Sequence, residues 1–256
     1  MVSERKNINS VVKSLNILDC FSREVKELKL TEISNMLEIP KSTTSNLVYT
    51  LVDMGYLEQN SENGKFRLGT KLFMLGKIFE YHFNLIEVAR PYMERLRNKF
   101  NEAVHLSIPY ETEGVCVEKI EGDSTLGMNS QVGKKLPLHC TASGKLFLSG
   151  MSKEKLEKTL VNIDLFKRTE TTITDVNILR KEIEVIREKG YSMAVEEGEV
   201  GITSMAVPIY NYKGELIASI SIAGPTARLS DDSREQIILE MLKASKTISS
   251  KLGFSN

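Results

Sequence analysis

The stretch from Leu30 to Leu68 is punctuated so closely that few folds accommodate it. Pro40 disfavours helical backbone at Ile39, so a short helix carrying Ile33, Met36 and Leu37 must stop there. Thr31 is a suitable N-cap for that helix, and Ser42 for the next. The second of these has an apolar stripe of Leu47, Val48, Leu51 and Met54, and Gly55 stands where a helix C-terminus favours glycine. Tyr56–Gln59 and Lys65–Leu68 then read as short strands around Asn63-Gly64, a pair that tolerates the positive φ angles of a tight hairpin. Upstream, Val11, Val12, Leu15, Ile17, Leu18 and Phe21 give Asn9 to Phe21 the pattern of an amphipathic helix. Helix, helix, short turn, helix and hairpin in that order make a winged helix-turn-helix.

With its apolar stripe turned to the core, the third helix leaves Ser42, Thr43, Ser45, Asn46 and Tyr49 on its outer side. Small hydroxyls and an amide in the first turns suit a helix whose N-terminus enters the major groove of double-stranded DNA. Asn46 can pair with adenine through two hydrogen bonds. Lys41 and the helix N-terminus suit phosphates, as do Lys65 and Arg67 on the hairpin. Taken alone, the same residues describe a solvated polar helix face; the cationic hairpin beside them favours DNA. Bulk charge contributes little. The 34 basic and 34 acidic residues of the chain cancel, and residues 1–80 carry 11 and 10. Affinity must therefore come from local placement of cations.

Residues Lys71 to Asn84 read as a helix with more apolar positions (Leu72, Phe73, Leu75, Ile78, Phe79, Phe83) than one buried face uses. It is expected to pack on the first helix and on another subunit. Ile86 to Phe100 reads as a further helix with Pro91 in its first turns. From Ala103 the period shortens. Val104–Ile108 and Val115–Ile120 read as paired strands, followed by helices over Thr141–Leu148 and Lys153–Leu160. Thr174-Asp175 caps a helix that closes at Lys189-Gly190. Strands at Met205–Tyr210 and Leu216–Ile222 and a last helix over Asp231–Leu252 complete an α+β chain. The expected organisation is a winged helix-turn-helix over 1–70, a linker helix over 71–90 and a second domain over 91–256.

Several function classes find no support. Cys20, Cys116 and Cys140 lack CxxC spacing, so no metal site or disulfide framework is expected. No cofactor motif or catalytic signature occurs. His139 and Cys140 are sequence neighbours that point apart on an extended segment, and Glu196-Glu197 are poor converging acids for the same reason. The chain is not expected to be an enzyme. No apolar run reaches the roughly 18–20 residues of a membrane span, and the polar start does not read as a signal peptide, so a cytoplasmic protein is expected.

The motifs Pro40-Lys41-Ser42-Thr43-Thr44, Leu51 to Glu58 and Lys65-Phe66-Arg67-Leu68-Gly69 resemble the DNA-binding half of the IclR family of bacterial transcription regulators. Gly133 to Lys145 resembles that family's effector loop. Thr172 to Asp175, Gly190-Tyr191, Glu196-Glu197, Gly201 to Pro208 and Ala223-Gly224-Pro225 resemble its later landmarks. The resemblance implies a C-terminal curved antiparallel sheet, GAF-like, flanked by helices, which binds a small organic or sugar acid. It also implies homodimers, often paired into homotetramers, on palindromic operators. Carried over position by position, the effector pocket falls at Thr125, Met128, Leu136, Ala142, Ser143, Ala194, Ile202, Ser204, Ser219 and Ser221, with Ala223 alongside. This chain departs from the pattern at Ala194, where characterised members have an acid, at Ser204, where they have Cys, and at Asn46, where many have Arg. The alternative is a winged-helix protein whose second domain only oligomerises and binds no ligand.

Overall fold

The computed structural model describes residues 7–22, 24–82, 85–123 and 131–254. Three helices, α1 (Asn9–Asp19), α2 (Leu30–Met36) and α3 (Lys41–Asp53), lead into a hairpin of β1 (Leu57–Gln59) and β2 (Phe66–Leu68) and then α4 (Thr70–His82). Ile17, Leu28, Ile33, Val48, Leu51, Leu57 and Phe66 form the core among them. The turn between α2 and α3 is fastened by two buried hydroxyls. Ser34 Oγ donates to the Ile39 carbonyl at 2.7 Å, and Thr44 Oγ1 donates to the same oxygen at 3.3 Å.

Three local expectations need correction. Helix α2 begins at Leu30, one residue before Thr31, because the Glu32 carboxylate turns back to accept the Lys29 N–H at 2.6 Å. Helix α3 begins at Lys41 with Pro40 at its N-cap, so Ser42 lies inside the first turn and does not cap it. The hairpin turn is wider than an Asn-Gly pair. Asn60 N–H closes on the Lys65 carbonyl at 2.8 Å, and of Asn63 and Gly64 only Gly64 has a positive φ, +69°. Asn63 instead uses its side chain, accepting the Lys65 N–H at 2.9 Å, a local turn typical of asparagine. Gly55, at φ +78°, ends α3 as its position suggests.

Residues 84–256 form a separate compact unit, the first spanning 1–83. Its six-stranded antiparallel sheet has the order β5-β4-β3-β8-β7-β6, with β3 (Ala103–Tyr110), β4 (Glu113–Ile120), β5 (Lys135–Leu136), β6 (Ser192–Val195), β7 (Ile202–Tyr210) and β8 (Leu216–Pro225). The curved sheet is flanked by α5 (Leu85–Phe100), α6 (Ala142–Ser149), α7 (Lys153–Asn162), α8 (Val176–Lys189) and α9 (Asp231–Lys251). Strand β8 is buried at successive positions, which requires cover on both faces. Helices α5 and α9 pack together and on the sheet, and α6 packs with α8 and on β6, β7 and β8. The fold is α+β, as the sequence predicts. The short strands β5 and β6 were not expected; at two and four residues they carry too little alternation to register.

Candidate functional site

On α3 the residues expected to read DNA share one side. Lys41, Ser42, Asn46 and Tyr49 are exposed, with Thr43 and Ser45 half-buried, while Thr44, Val48 and Leu51 face the core. Positions 42, 45, 46 and 49 follow the helical repeat, so they form one stripe. Tyr49 lies edge-on to Phe66, ring centroids 5.7 Å apart, which ties this stripe to the hairpin.

The hairpin cations are less free than their sequence suggests. Arg67 is paired with Glu58 at 3.1 Å. Glu58 also accepts the Thr70 hydroxyl at 2.9 Å and the Thr70 N–H at 3.2 Å, and these donors, with Arg67, hold its carboxyl below the usual range. Glu27 takes the side-chain amides of Asn60 and Asn63 at 3.0 and 2.9 Å, which lower its pKa as well. Leu28 bridges Phe66 through two backbone hydrogen bonds of 2.8 and 2.9 Å. The wing is thus a pinned loop whose two cations have carboxylates for neighbours.

In the second unit a cavity of about 700 Å³ lies between the sheet and the start of α6. Leu136, Ala142, Ser143, Ala194, Ile202, Ser204, Ser221 and Ala223 all line it, though they come from four strands and a helix. Ser219 does not line it; it is fully buried on β8 next to the wall. Thr125 and Met128 lie outside the described residues. Strand register explains the convergence. Ala194 pairs with Ser204 and Ser204 with Ala223, while Ala206, Ser221 and His105 form the next row and Ser219, Ser107 and Cys116 the one after. Cross-strand partners share a face, so the rows pave one floor.

The roof is the first turn of α6. Thr141 caps it, accepting the Gly144 N–H at 3.0 Å and donating to the Pro137 carbonyl at 2.7 Å. A Cβ at Gly144 would stand 2.3 Å from that same carbonyl, so only glycine lets the helix sit this close. The Ala142 and Ser143 amides belong to the opening turn and have no carbonyl partner within the helix, which makes them anion donors.

Sequence reasoning missed several wall residues. His105, Ser107 and Cys116 follow the alternation of β3 and β4 and were open to detection; Phe166 to Thr169 sit on a loop with no pattern of their own. That loop is nevertheless fixed. Thr172 Oγ1 accepts from the N–H groups of Arg168 and Thr169 at 3.1 and 2.8 Å and donates to the Glu197 carbonyl at 2.7 Å. His139 Nε2 and the Phe166 carbonyl share a hydrogen bond of 3.0 Å, and the two rings meet edge to face. Behind it, Lys145 is 1% exposed and bonds Glu197 at 2.6 Å and Glu182 at 3.1 Å. Burial pushes the Glu197 carboxyl up, against the pull of Lys145.

The cavity's charge is divided by depth. Lys134, Lys135, Lys167 and Arg168 are exposed at its mouth; Glu199 also lines it, Glu113 pairs with Lys135 at 2.8 Å and Glu170 pairs with Lys167 at 2.7 Å. The floor is neutral. Burial pushes the His105 pKa down to about 3, with Lys119 adding to the effect, and pushes the Cys116 and Cys140 thiols up to about 11. Neutral, protonated thiols are poor nucleophiles and poor metal ligands. Among the described residues no three His, Cys, Asp or Glu are grouped to hold a metal ion, and no helix is long and apolar enough to cross a membrane.

A winged helix-turn-helix with one polar helix face outward, in one chain with a cavity-bearing sheet domain, is the build of a DNA-binding transcription regulator. Comparison with known proteins agrees. Residues 10–61 match the IclR helix-turn-helix domain and residues 81–250 match the bacterial transcriptional regulator IclR C-terminal domain. The HTH-type transcriptional regulator XynR of Escherichia coli (strain K12) is 34% identical over 96% of this chain and 98% of its own length. The regulator KdgR of the same organism is 32% identical over 97% of this chain and 94% of its own. The crystal structure of an IclR homolog complexed with 4-hydroxybenzoate, from Microbacterium hydrocarbonoxydans, superposes with a TM-score of 0.85 at 26% identity, covering 95% of this chain and 98% of that one. The chain belongs to the IclR family. It is a transcription regulator, and its relatives are named as regulators and not as enzymes.

Proposed function

We propose that this regulator binds a palindromic operator as a homodimer, or a pair of dimers, and that a small organic or sugar acid in the C-terminal cavity changes that binding. The division of charge in the cavity carries the reading. Exposed cations and the α6 amides suit a carboxylate, and the neutral floor suits the rest of a small molecule. The relative crystallised with 4-hydroxybenzoate supports a ligand of that size and charge in this fold. In this reading Ser42, Thr43, Ser45, Asn46 and Tyr49 meet base edges and nearby backbone, and Lys41, Lys65 and Arg67 meet phosphates. Leu136, Ala142, Ser143, Ala194, Ile202, Ser204 and Ser221 contact the effector.

A second copy is favoured by the apolar surface of the first unit. Val11 and Leu15 on α1 and Phe73, Met74 and Ile78 on α4 are each more than half exposed. Patches of that kind mark protein contacts. A two-fold protein places its recognition helices on half-sites about one helical turn apart. The proposed working place is the cytoplasm, where the operator is. The test is a gel-shift titration on the gene's own upstream region, repeated with a panel of small organic and sugar acids. A retarded band whose midpoint moves with one of the acids is the expected result. No specific retardation at low salt overturns the operator reading; specific retardation that no acid moves, with no thermal shift, leaves a second domain that only oligomerises.

A further inference from the structure

At a buried part of the cavity wall, one hydroxyl lining it and one behind it have no partner among the described residues. Ser107 and Ser219 are directly paired across β3 and β8, both are fully buried, and neither Oγ makes a hydrogen bond among the described residues. Ser107 lines the cavity. A buried hydroxyl left without a partner is costly, and two side by side call for a reason. The local backbone is also built for it. The β3–β4 register skips Val117, pairing Leu106 with Glu118 and then Ser107 with Cys116. Such a bulge re-aims the side chains next to it.

The polar groups that line the cavity next to Ser107 on this face are uncharged. His105 lies two residues away on the same face and burial keeps it neutral; the Cys116 thiol opposite Ser107 is neutral for the same reason. Lys119, cross-strand from His105 and nearly buried, is already bonded to Glu121 at 2.8 Å, so an ionised group moved to Ser107 would lose its hydration without gaining an uncommitted counter-ion. The cations of the cavity wall are exposed, whereas Ser107 is fully buried.

Building on the effector reading above, we propose that Ser107, backed by Ser219, is the specificity determinant of the cavity. It receives an uncharged hydroxyl or carbonyl at the end of the effector remote from its carboxylate. The effector is then a monoacid with a distal neutral oxygen, and neither a plain acid nor a diacid. A serine hydroxyl both donates and accepts, so it suits either kind of oxygen. A site with a waiting polar group discriminates strongly against an analogue that cannot satisfy it.

The test measures affinity by calorimetry on the full-length chain with two matched pairs, benzoate against 4-hydroxybenzoate and pentanoate against 4-oxopentanoate, and with terephthalate as the diacid. In the wild type the oxygenated member of at least one pair is expected to bind roughly tenfold tighter or more, about one hydrogen bond's worth, and terephthalate to bind more weakly than 4-hydroxybenzoate. In Ser107→Ala that ratio is expected to fall to near one with the plain acid's affinity unchanged. The apo variant is expected to melt at or above the wild-type temperature, because a buried orphan has been removed; a merely structural serine would lower it. Acids that bind without any preference for the distal oxygen, or a preference that survives Ser107→Ala, overturn this inference and leave the effector reading standing. Binding by none of the five overturns the acid cavity itself, and this inference with it.

Discussion

The two units answer to opposite rules. The proposed reading face of the first is drawn from one stretch between Lys41 and Arg67, and most of its side chains stand in solvent. The cavity of the second is assembled from segments as far apart as His105 and Ala223, and its floor is buried. Substitutions on an exposed stripe leave the core alone, so DNA preference is free to change without loss of stability. Substitutions around the cavity disturb packing, charge pairing and the proposed effector contacts together. Function and stability are thus separable in one unit and entangled in the other.

The largest expected effect tests the entangled side. Lys145→Met leaves Glu197 buried without its cation, and breaking a buried pair costs about 3–5 kcal/mol. Urea unfolding followed separately for each unit should show the second transition moving to lower denaturant and the first unmoved. A change under about 1 kcal/mol would mean the cavity's support tolerates exchange as freely as the reading face does.

Acid should separate the units next. His105 is held neutral at a pKa of about 3, below its ordinary 6.5. Between those values the unfolded chain binds the extra proton and the folded one does not, so the contribution is full above about pH 6.5 and is lost as pH falls towards 3. The slope reaches about 1.4 kcal/mol per pH unit. His139, lowered mainly by burial, adds in the same direction. In the first unit Glu27 and Glu58 are also lowered, but from 4.5, so their contribution fades only below that pH. Melting curves between pH 7 and 5 should show the second unit weakening, and His105→Gln should flatten the decline. An unchanged slope in that variant would place the sensitivity elsewhere.

The smallest effect on stability is expected at Asn46, where the effect on reading is largest. Asn46→Ala should leave melting within about 0.5 kcal/mol of wild type while weakening operator binding by about 1–3 kcal/mol. Asn46→Arg should move the preferred base from adenine towards guanine, measured by selection from a randomised operator. A selected sequence identical to wild type would remove Asn46 from the reading face.

The same contrast decides how much could be read from the sequence. Pro40, Gly55 and the apolar stripe of α3 act locally, so the helix-turn-helix and its outward side chains were legible. What local signals miss are choices between near-equal caps. Thr31 and Ser42 look like better caps than Lys29 and Pro40, but Glu32 and the fixed φ of proline decide otherwise. Six cavity-wall positions among the expected set come from strands whose faces alternate, and family resemblance located them without showing their depth. Ser219 missed the wall although Ser107 and Cys116 of its own row reach it, because on β8 the lining stops at Ser221. The loop from Phe166 to Thr169 was invisible, since its place depends on Thr172 and Glu197, far from any periodic segment.

The Arg67–Glu58 pair has a consequence for how this protein searches a chromosome. A wing cation that already has a carboxylate partner gains little by touching an arbitrary phosphate, because one ionic contact is exchanged for another. Together with a near-zero net charge, this makes random DNA a poor trap. With the proposed operator reading, fewer molecules are held on decoy sites, residence there is short, and occupancy of the operator is governed by the base edges under α3 and not by the length of DNA around it.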